Sequence, residues 1–498
     1  MSESKPLYER TGRAAIWTVG GKLFAKTIDF FSLLILARFL GPAEFGLVAM
    51  AMTAVLVIEA VLELPLSAVL LNVAEPTDAM FDTAFTLGFL RSLVIFGLLG
   101  ALSWPLSLFY HEPRLVMLLC VLGAAPAMRG LVSPRLVNFT RELDFRRDFI
   151  LDVGGKLFSL IIAATIAVTT HSYWAIAIGT ISTTAVMMIT SYIFAPQRIR
   201  FTLSQWHIFV DMVGWNTATQ MVAAVNWQLD KFLLPRFIDV AAFGRFSSAN
   251  DLIAIPIQAV VQPVTRPLVA AFAAASRTGH GLDSIYLKAS VGLFTAVAPI
   301  LLTLALLSEP IVRVILGPKW LETASLMSVL AFIAIGSLPT VVMPALAMTL
   351  NQMRLTTLRT FFELAVKLPV TLIGILTLGL TGALIGRGVA MVAVLLVSMF
   401  VVRKLISLSI AAQFKSLLRP TIALVAMGVT YYFLDMVLLP MTAPLIIMLN
   451  LVWVGIAGGL VYVGTYFLTW HLAGRPDGVE RLAERFVGKY LNKGARNV

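Results

Sequence analysis

Lys22, Lys26 and Asp29 follow one another at i, i+4 and i+7 inside a long apolar stretch, so on a helix the three ionisable groups share a face. Glu59 and Glu63 repeat the i, i+4 spacing in the next stretch, and embedded charges recur at Arg91, Asp152, Lys156, Asp230, Asp251, Arg266, Glu363 and Lys367. A charged side chain facing hydrocarbon costs about 2.5–3.5 kcal/mol, which for a set this large comes to roughly 30 kcal/mol or more. No marginally stable fold absorbs that. The groups must therefore pair with one another or line a hydrated cavity. A cavity with cationic walls favours an anionic group such as a phosphate, because Coulomb attraction is weakly screened in a low-dielectric surround. Apolar flanks of the same helices suit a lipid tail, so the combination fits an amphiphile with a phosphate at its junction.

On this reading Lys22, Lys26, Arg91, Lys156, Arg266 and Lys367 are the candidate substrate-binding cations, with Lys26 and Arg91 foremost; alanine at either is expected to abolish transport in a folded protein. Asp29, Glu59, Glu63, Asp152, Asp230, Asp251 and Glu363 are candidates for ion coupling or charge pairing. Blander roles fit as well. Asp152/Lys156 and Glu363/Lys367 each have the spacing of an intrahelical ion pair, and Glu59 and Glu63 suit a salt bridge to Lys22 or Lys26. Arg38 and Arg236 suit anchoring at the membrane interface, since arginine snorkels readily. In the second half, polar faces run through Asn216, Gln220, Trp227 and Lys231, and through Asp251, Gln258, Gln262 and Arg266.

The elements that must position these groups are set by composition. Of 498 residues, 59% are hydrophobic and 13% charged, and the mean hydropathy is +0.90. A water-soluble fold carries roughly a quarter charged residues, so the apolar excess faces lipid. The net charge of +12 sits at the ends of apolar segments, which argues against nucleic acid as a partner. A single cysteine, Cys120, and five scattered histidines exclude a disulfide framework and a cysteine-based metal site, and no cofactor is implied. Residues 1–13 are polar and lead into a long helix without a small-residue cleavage site, so no removable signal peptide is expected.

Apolar segments fall at 14–38, 44–72, 80–109, 115–138, 147–170, 173–195, 207–234, 243–272, 286–316, 323–350, 355–379, 382–402, 418–439 and 443–470, which predicts fourteen transmembrane helices. Lysine and arginine crowd alternate loops: Arg141, Arg146, Arg147, Arg198, Arg200, Arg354, Arg403 and Lys404 fall on one side, against Arg38, Arg114, Arg236 and Lys319 on the other. The positive-inside rule then places both termini in the cytoplasm.

Moving the chain by 198 positions lays Arg38-Phe39, Ala43, Phe45-Gly46 and Pro65 on Arg236-Phe237, Ala241, Phe243-Gly244 and Pro263. The expected architecture is all-α: a six-helix lobe over 1–205, its repeat over 206–410, two further helices over 411–473, and a basic tail over 474–498. An even number of spans per repeat relates the lobes by an axis along the membrane normal, with a cavity between them. In the tail, Leu482, Phe486, Tyr490 and Leu491 oppose Arg481, Arg485, Lys489 and Lys493, the pattern of a helix lying on the cytoplasmic leaflet or of a solvated end. Prolines inside spans, such as Pro126, Pro256 and Pro369, suit hinges and are also common in membrane helices.

Arg38-Phe-Leu-Gly-Pro-Ala-Glu-Phe-Gly46 resembles the loop between spans 1 and 2 of the bacterial polysaccharide flippases in the multidrug/oligosaccharidyl-lipid/polysaccharide exporter superfamily. Asn226-Trp-Gln-Leu-Asp-Lys-Phe-Leu-Leu-Pro-Arg236 with Phe243-Gly244 is similar to that family's seventh-span motif, and Leu316-Gly-Pro-Lys-Trp320 looks like its end of span 9. A glycine often found before the second Phe-Gly element is replaced by Asp239, which leaves that turn's geometry open. The resemblance implies a non-enzymatic flippase of the bacterial inner membrane. It would move undecaprenyl-pyrophosphate-linked oligosaccharide repeat units to the periplasmic leaflet by alternating access, for exopolysaccharide, capsule or O-antigen. The implied partners are the anionic lipid-linked oligosaccharide, membrane lipids, and polysaccharide polymerase and export machinery.

Rival readings are a cation-coupled drug exporter, which would favour an acidic cavity, and a peptidoglycan-precursor flippase. A membrane polysaccharide polymerase would need a large external loop with catalytic groups, and every external loop here is short. A non-transporting scaffold leaves the buried charges without a use.

Overall fold

The computed structural model describes residues 7–142, 144–211, 214–278, 281–437 and 444–476; within helices, the side chains at 7–16, 18–19, 210–220, 266, 435–437 and 444–445 are not described. The expected tail helix, and the side chains of Asn216, Gln220 and Arg266, lie outside the described residues. All regular structure among those described is helical, and the protein is an all-α, multi-pass membrane protein. Large apolar side chains such as Ile193, Leu376, Trp453 and Leu460 stand more than half exposed on its long helices, a surface that suits hydrocarbon and not water.

The chain forms two compact units, Met1–Ser248 with Ile375–Leu380, and Ala249–Gly374 with Thr381–Val498. The first holds α1 (Leu7–Phe39), α2 (Pro42–Val61), α3 (Leu66–Asn72), α4 (Asp78–Tyr110), α5 (Arg114–Leu122), α6 (Ala124–Arg129), α7 (Val137–Arg141), α8 (Arg146–Thr170), α9 (Trp174–Phe194), α10 (Trp206–Asp211), α11 (Gly214–Leu233) and the first turns of α12 (Val240–Thr278). Here α8 packs on α1 and α9, α6 on α4 and α9, and α2 on α5 and α11. The second unit continues with α13 (Leu282–Leu306), α14 (Ser308–Ile315), α15 (Thr323–Ser337), α16 (Met343–Thr349), α17 (Met353–Ile406), α18 (Ile410–Val437) and α19 (Pro444–Leu472), in which α13 packs on α15 and α18, and α18 on α19.

Among the described residues the expected apolar segments lie on helix, several of them interrupted. Pro65 ends α2 early, since it lacks an N–H and its ring opposes the carbonyl of Val61; the chain resumes as α3. The segment expected at 115–138 breaks after Arg129 and bends by 50° into Pro134–Arg141. Among the described residues ten helices are long and apolar enough to span, or eleven with that bent pair, so length and apolarity alone do not reach the expected fourteen. The charges of α1 and the amides of α11 lower their apolarity, and α17 takes up two expected segments in 54 residues.

That long helix is a hairpin. Gly379 leaves the helical region at φ 58°, ψ −133°. A β-carbon on Gly382 would lie 1.8 Å from the carbonyl oxygen of Gly374, although a straight helix separates residues eight apart by about 12 Å. Gly386 abuts Thr371, and Arg359 Nε donates to Ser398 Oγ at 3.2 Å, so the two arms run antiparallel about Gly379.

The two Phe-Gly elements of the repeat meet each other. A β-carbon on Gly46 would stand 1.9 Å from the Val240 carbonyl oxygen, and one on Gly244 would stand 1.8 Å from that of Pro42. Pro42 and Val240 are themselves related by the shift of 198, so the contact between α2 and α12 is reciprocal, and only glycine permits it. The helix starts are capped differently. In α2, Glu44 reaches back to the Gly41 N–H at 2.9 Å; in α12, Asp239 Oδ1 accepts from the Ala242 N–H at 2.9 Å. The departure at Asp239 therefore preserves the turn by supplying its own cap.

Candidate functional site

Helices α1, α6, α8 and α9 line a half-open cavity of about 240 Å³ within the first unit, with Asp29 and Ser32, Arg129, Lys156 and Ser159, and Thr180, Thr183 and Thr184 among its lining residues. Each helix contributes its polar groups at helical spacing. Asp29 and Ser32 lie one turn apart on α1, as do Lys156 and Ser159 on α8, and Thr180, Thr183 and Thr184 form one face of α9. Gly179 lets α9 approach α8 closely, since a β-carbon there would sit 3.0 Å from that of Ala163.

Lys156 Nζ donates to Asp29 Oδ2 at 2.8 Å, and Lys26 Nζ stands 3.6 Å from the same oxygen. Lys156 thus turns to the neighbouring helix and not to Asp152 on its own, so the intrahelical pair expected as one alternative does not form. Glu59 accepts from Arg129 Nη1 at 2.5 Å, and Glu63 from Arg91 Nη2 at 2.6 Å. The alternative in which these glutamates bridge to Lys22 or Lys26 is likewise corrected: Lys22 is exposed, and the guanidinium groups, reaching across from other helices, satisfy the carboxylates first. Of the groups that line the cavity, Lys156 and Arg129 are cations and Asp29 is a carboxylate; Arg129 also pairs with Glu59, and Lys26 stands beside Asp29.

Arg91 stands apart from the cavity. Its Nε donates to the Leu62 carbonyl at 2.7 Å and its Nη2 to the Glu59 carbonyl at 3.1 Å, so the side chain satisfies the carbonyls freed where α2 breaks before Pro65. Asp152 is half-buried on α8. In the second unit Arg359 Nη1 stands 3.1 Å from Glu363 Oε2, and Lys367 is buried. Asp230 is buried and Asp251 exposed. In the polar stripe of α11 Trp227 is exposed, while Asn226 and Gln228 beside it are buried. Arg129 was not among the candidates from sequence, although an arginine inside the 115–138 segment carries the same signal as the others. The hydroxyls of α9 gave none, because serine and threonine are ordinary in membrane helices.

Beyond the spans, Glu112 and Arg114 pair through two bonds of 2.8 Å, and that guanidinium holds the Glu112 carboxyl below the usual range. Arg236 Nη1 stands 2.7 Å from His111 Nδ1 in the same region.

Long apolar helices with hydrocarbon surfaces and a polar, charged cavity among them make this a polytopic membrane transporter fold. The chain belongs to the polysaccharide biosynthesis protein family, whose sequence pattern matches residues 35–325. It is 22% identical over 327 residues to the succinoglycan biosynthesis transport protein ExoT of Rhizobium meliloti (strain 1021), a match covering 63% of this chain and 64% of that relative's length. Among solved structures, the lipid II flippase MurJ in an inward closed conformation superposes with a TM-score of 0.72 at 14% identity, covering 92% of this chain and all of that one. An inward-facing multidrug resistance transporter of the MATE family, in the MOP superfamily, superposes with a TM-score of 0.62 at 16% identity over 78% of this chain and 96% of that one. At such identities the structures establish a shared fold.

Proposed function

We propose that this protein is a flippase that moves an anionic, polyprenyl-pyrophosphate-linked oligosaccharide repeat unit across the bacterial inner membrane for assembly of an exported polysaccharide. The observation that carries the reading is a charged cavity lined by Lys156 and Arg129, with Asp29, among membrane helices of a chain from a polysaccharide biosynthesis family. Cations that line a cavity among apolar helices attract a pyrophosphate and disfavour the cationic drugs that a multidrug exporter takes. In this scheme the repeat units 1–205 and 206–410 act as two lobes in alternating access, both termini are cytoplasmic, and no catalytic step occurs. The name and coverage of the Rhizobium relative support the polymer-export role, and the likeness to the lipid II flippase fold supports a lipid-linked cargo.

Deleting the gene tests the reading. The expected result is loss of extracellular polysaccharide together with accumulation of its lipid-linked repeat unit inside the cell, restored by the wild-type gene. Unlinked or short polymers outside would instead identify a polymerase, and arrest of wall synthesis with normal polysaccharide would identify a peptidoglycan-precursor flippase.

A further inference from the structure

Residues 195–205, between α9 and α10, form no helix and are strapped to the early turns of α4. Thr83 and Thr86 donate their hydroxyl hydrogens to the carbonyls of Ala79 and Asp82 in their own helix. Their lone pairs then accept from the strap, from the Gln205 N–H at 3.4 Å and the Thr202 N–H at 3.0 Å. Gln197 Nε2 donates to Asp82 Oδ1 at 3.3 Å, and the Phe201 ring rests on those of Phe85 and Phe89, with centroids 5.9 and 5.2 Å away. The strap is thus held mainly through its backbone, and its larger side chains are left to the outside. Ile199, Phe201, Leu203 and Trp206 stand 43–63% exposed, and Arg198 and Arg200, interleaved with the first of them, are exposed too. The carboxylates at the start of α4 are already engaged, Asp78 by Arg135 Nη2 at 2.5 Å and Asp82 by Gln197, and among the described residues no carboxylate pairs with either strap arginine. Apolar and cationic side chains exposed together suit the boundary where acyl chains meet phosphates. The strap lies at that height. With 33 residues α4 is about 50 Å long against a hydrocarbon core of about 30 Å, so it overhangs the core. Residues 80–86 of α4 are buried, and its large exposed apolar side chains begin at Leu90, just beyond the strap.

We propose that residues 196–206 are a docking strap for anionic phospholipids of the surrounding leaflet, with Arg198 and Arg200 on the head-group phosphates and Ile199, Phe201, Leu203 and Trp206 at the top of the acyl layer. A zwitterionic head group carries its own ammonium beside the phosphate, so the two arginines favour lipids of net negative charge. An acidic protein would meet the arginines but leave uncovered the apolar side chains that continue the lipid-facing surface of α4. The strap lies outside the cavity, and the lipid it holds is a bound partner and not cargo.

The test uses the full-length protein with Cys120→Ser and Ser204→Cys, labelled at position 204 with a small fluorophore. It is placed in nanodiscs of phosphatidylcholine and phosphatidylglycerol in which one lipid or the other carries brominated acyl chains, and quenching reports which of them lies beside the strap. At low salt phosphatidylglycerol is expected to be favoured by roughly tenfold or more, since each arginine near an anionic surface contributes about fivefold. Arg198→Gln with Arg200→Gln should remove the preference, and Arg198→Lys with Arg200→Lys should keep it. Arg403→Gln with Lys404→Gln, in the second unit, should leave it unchanged. High salt should weaken the preference in the protein that keeps both arginines, a readout that survives if the glutamine protein does not fold. Quenching by neither lipid would show that the strap faces water or protein and would overturn the proposal. Equal quenching by both lipids, a preference that persists in the glutamine protein or at high salt, or its loss in the Arg403→Gln, Lys404→Gln protein would overturn it as well.

Discussion

Replacing Arg91 separates a substrate contact from a structural brace. The side chain is 13% exposed and ties α4 to the broken end of α2 through the carbonyls of Leu62 and Glu59 and the carboxylate of Glu63. Charged hydrogen bonds contribute about 1.5–3 kcal/mol each in soluble proteins, and side-chain bonds within membranes reach at most about 1.7 kcal/mol. Taking about 1–2 kcal/mol for each carbonyl bond, Arg91→Ala should destabilise the protein by roughly 2–4 kcal/mol. The bond to Glu63 adds little, because that carboxylate is 54% exposed and solvent screens it. Reversible unfolding of purified protein in mixed micelles, titrated with SDS, measures the loss, and Glu63→Gln should change it by less than about 1 kcal/mol. Polysaccharide yield should fall in step with the amount of folded protein. An Arg91→Ala protein as stable as wild type yet without export would refute the brace and return Arg91 to the substrate pathway.

Asp29→Asn leaves Lys26 and Lys156 close together without their shared carboxylate, and should cost about 1–2 kcal/mol after allowance for its 40% exposure, with export lost; melting curves and polymer yield check both. A Lys156→Met, Asp29→Leu pair should recover stability and not export. Gly46→Ala or Gly244→Ala drives a methyl into a main-chain carbonyl and should sharply lower the yield of folded protein, whereas Gly97→Ala, with open space around it, should not. Because Glu112 has its carboxyl pKa lowered from 4.5 by Arg114, its contribution is present above pH 4.5 and is lost as pH falls through the lower folded-state value. The difference in melting temperature between wild type and Glu112→Gln should therefore hold steady from pH 8 to about 5 and shrink below about 4.5.

Apolar runs made the helices legible, since lipid requires long uninterrupted hydrophobicity and Pro65 or Gly379 punctuates it visibly. The Phe-Gly elements recur in the sequence at a shift of 198, although only the folded chain brings Gly46 onto Val240 and Gly244 onto Pro42. Partner choice was not. The spacing of Asp152 and Lys156 invites a local pair, whereas the ammonium bonds Asp29, 127 residues away, because the packing of α1 on α8 brings that carboxylate closer. Arg91 and Arg129 look alike in sequence, and what separates them is that one faces a helix break and the other a cavity.

The reversal at Gly379 also bears on how the chain is made. Residues 368–386, around the bend, contain no ionisable group, whereas Arg354 near one open end and Arg403 with Lys404 near the other bear cations. The tip thus crosses hydrocarbon with no charge to desolvate, and both feet carry the residues that membranes retain on the side of synthesis. The pair is suited to enter the bilayer together, bend foremost, as one self-orienting piece during biogenesis.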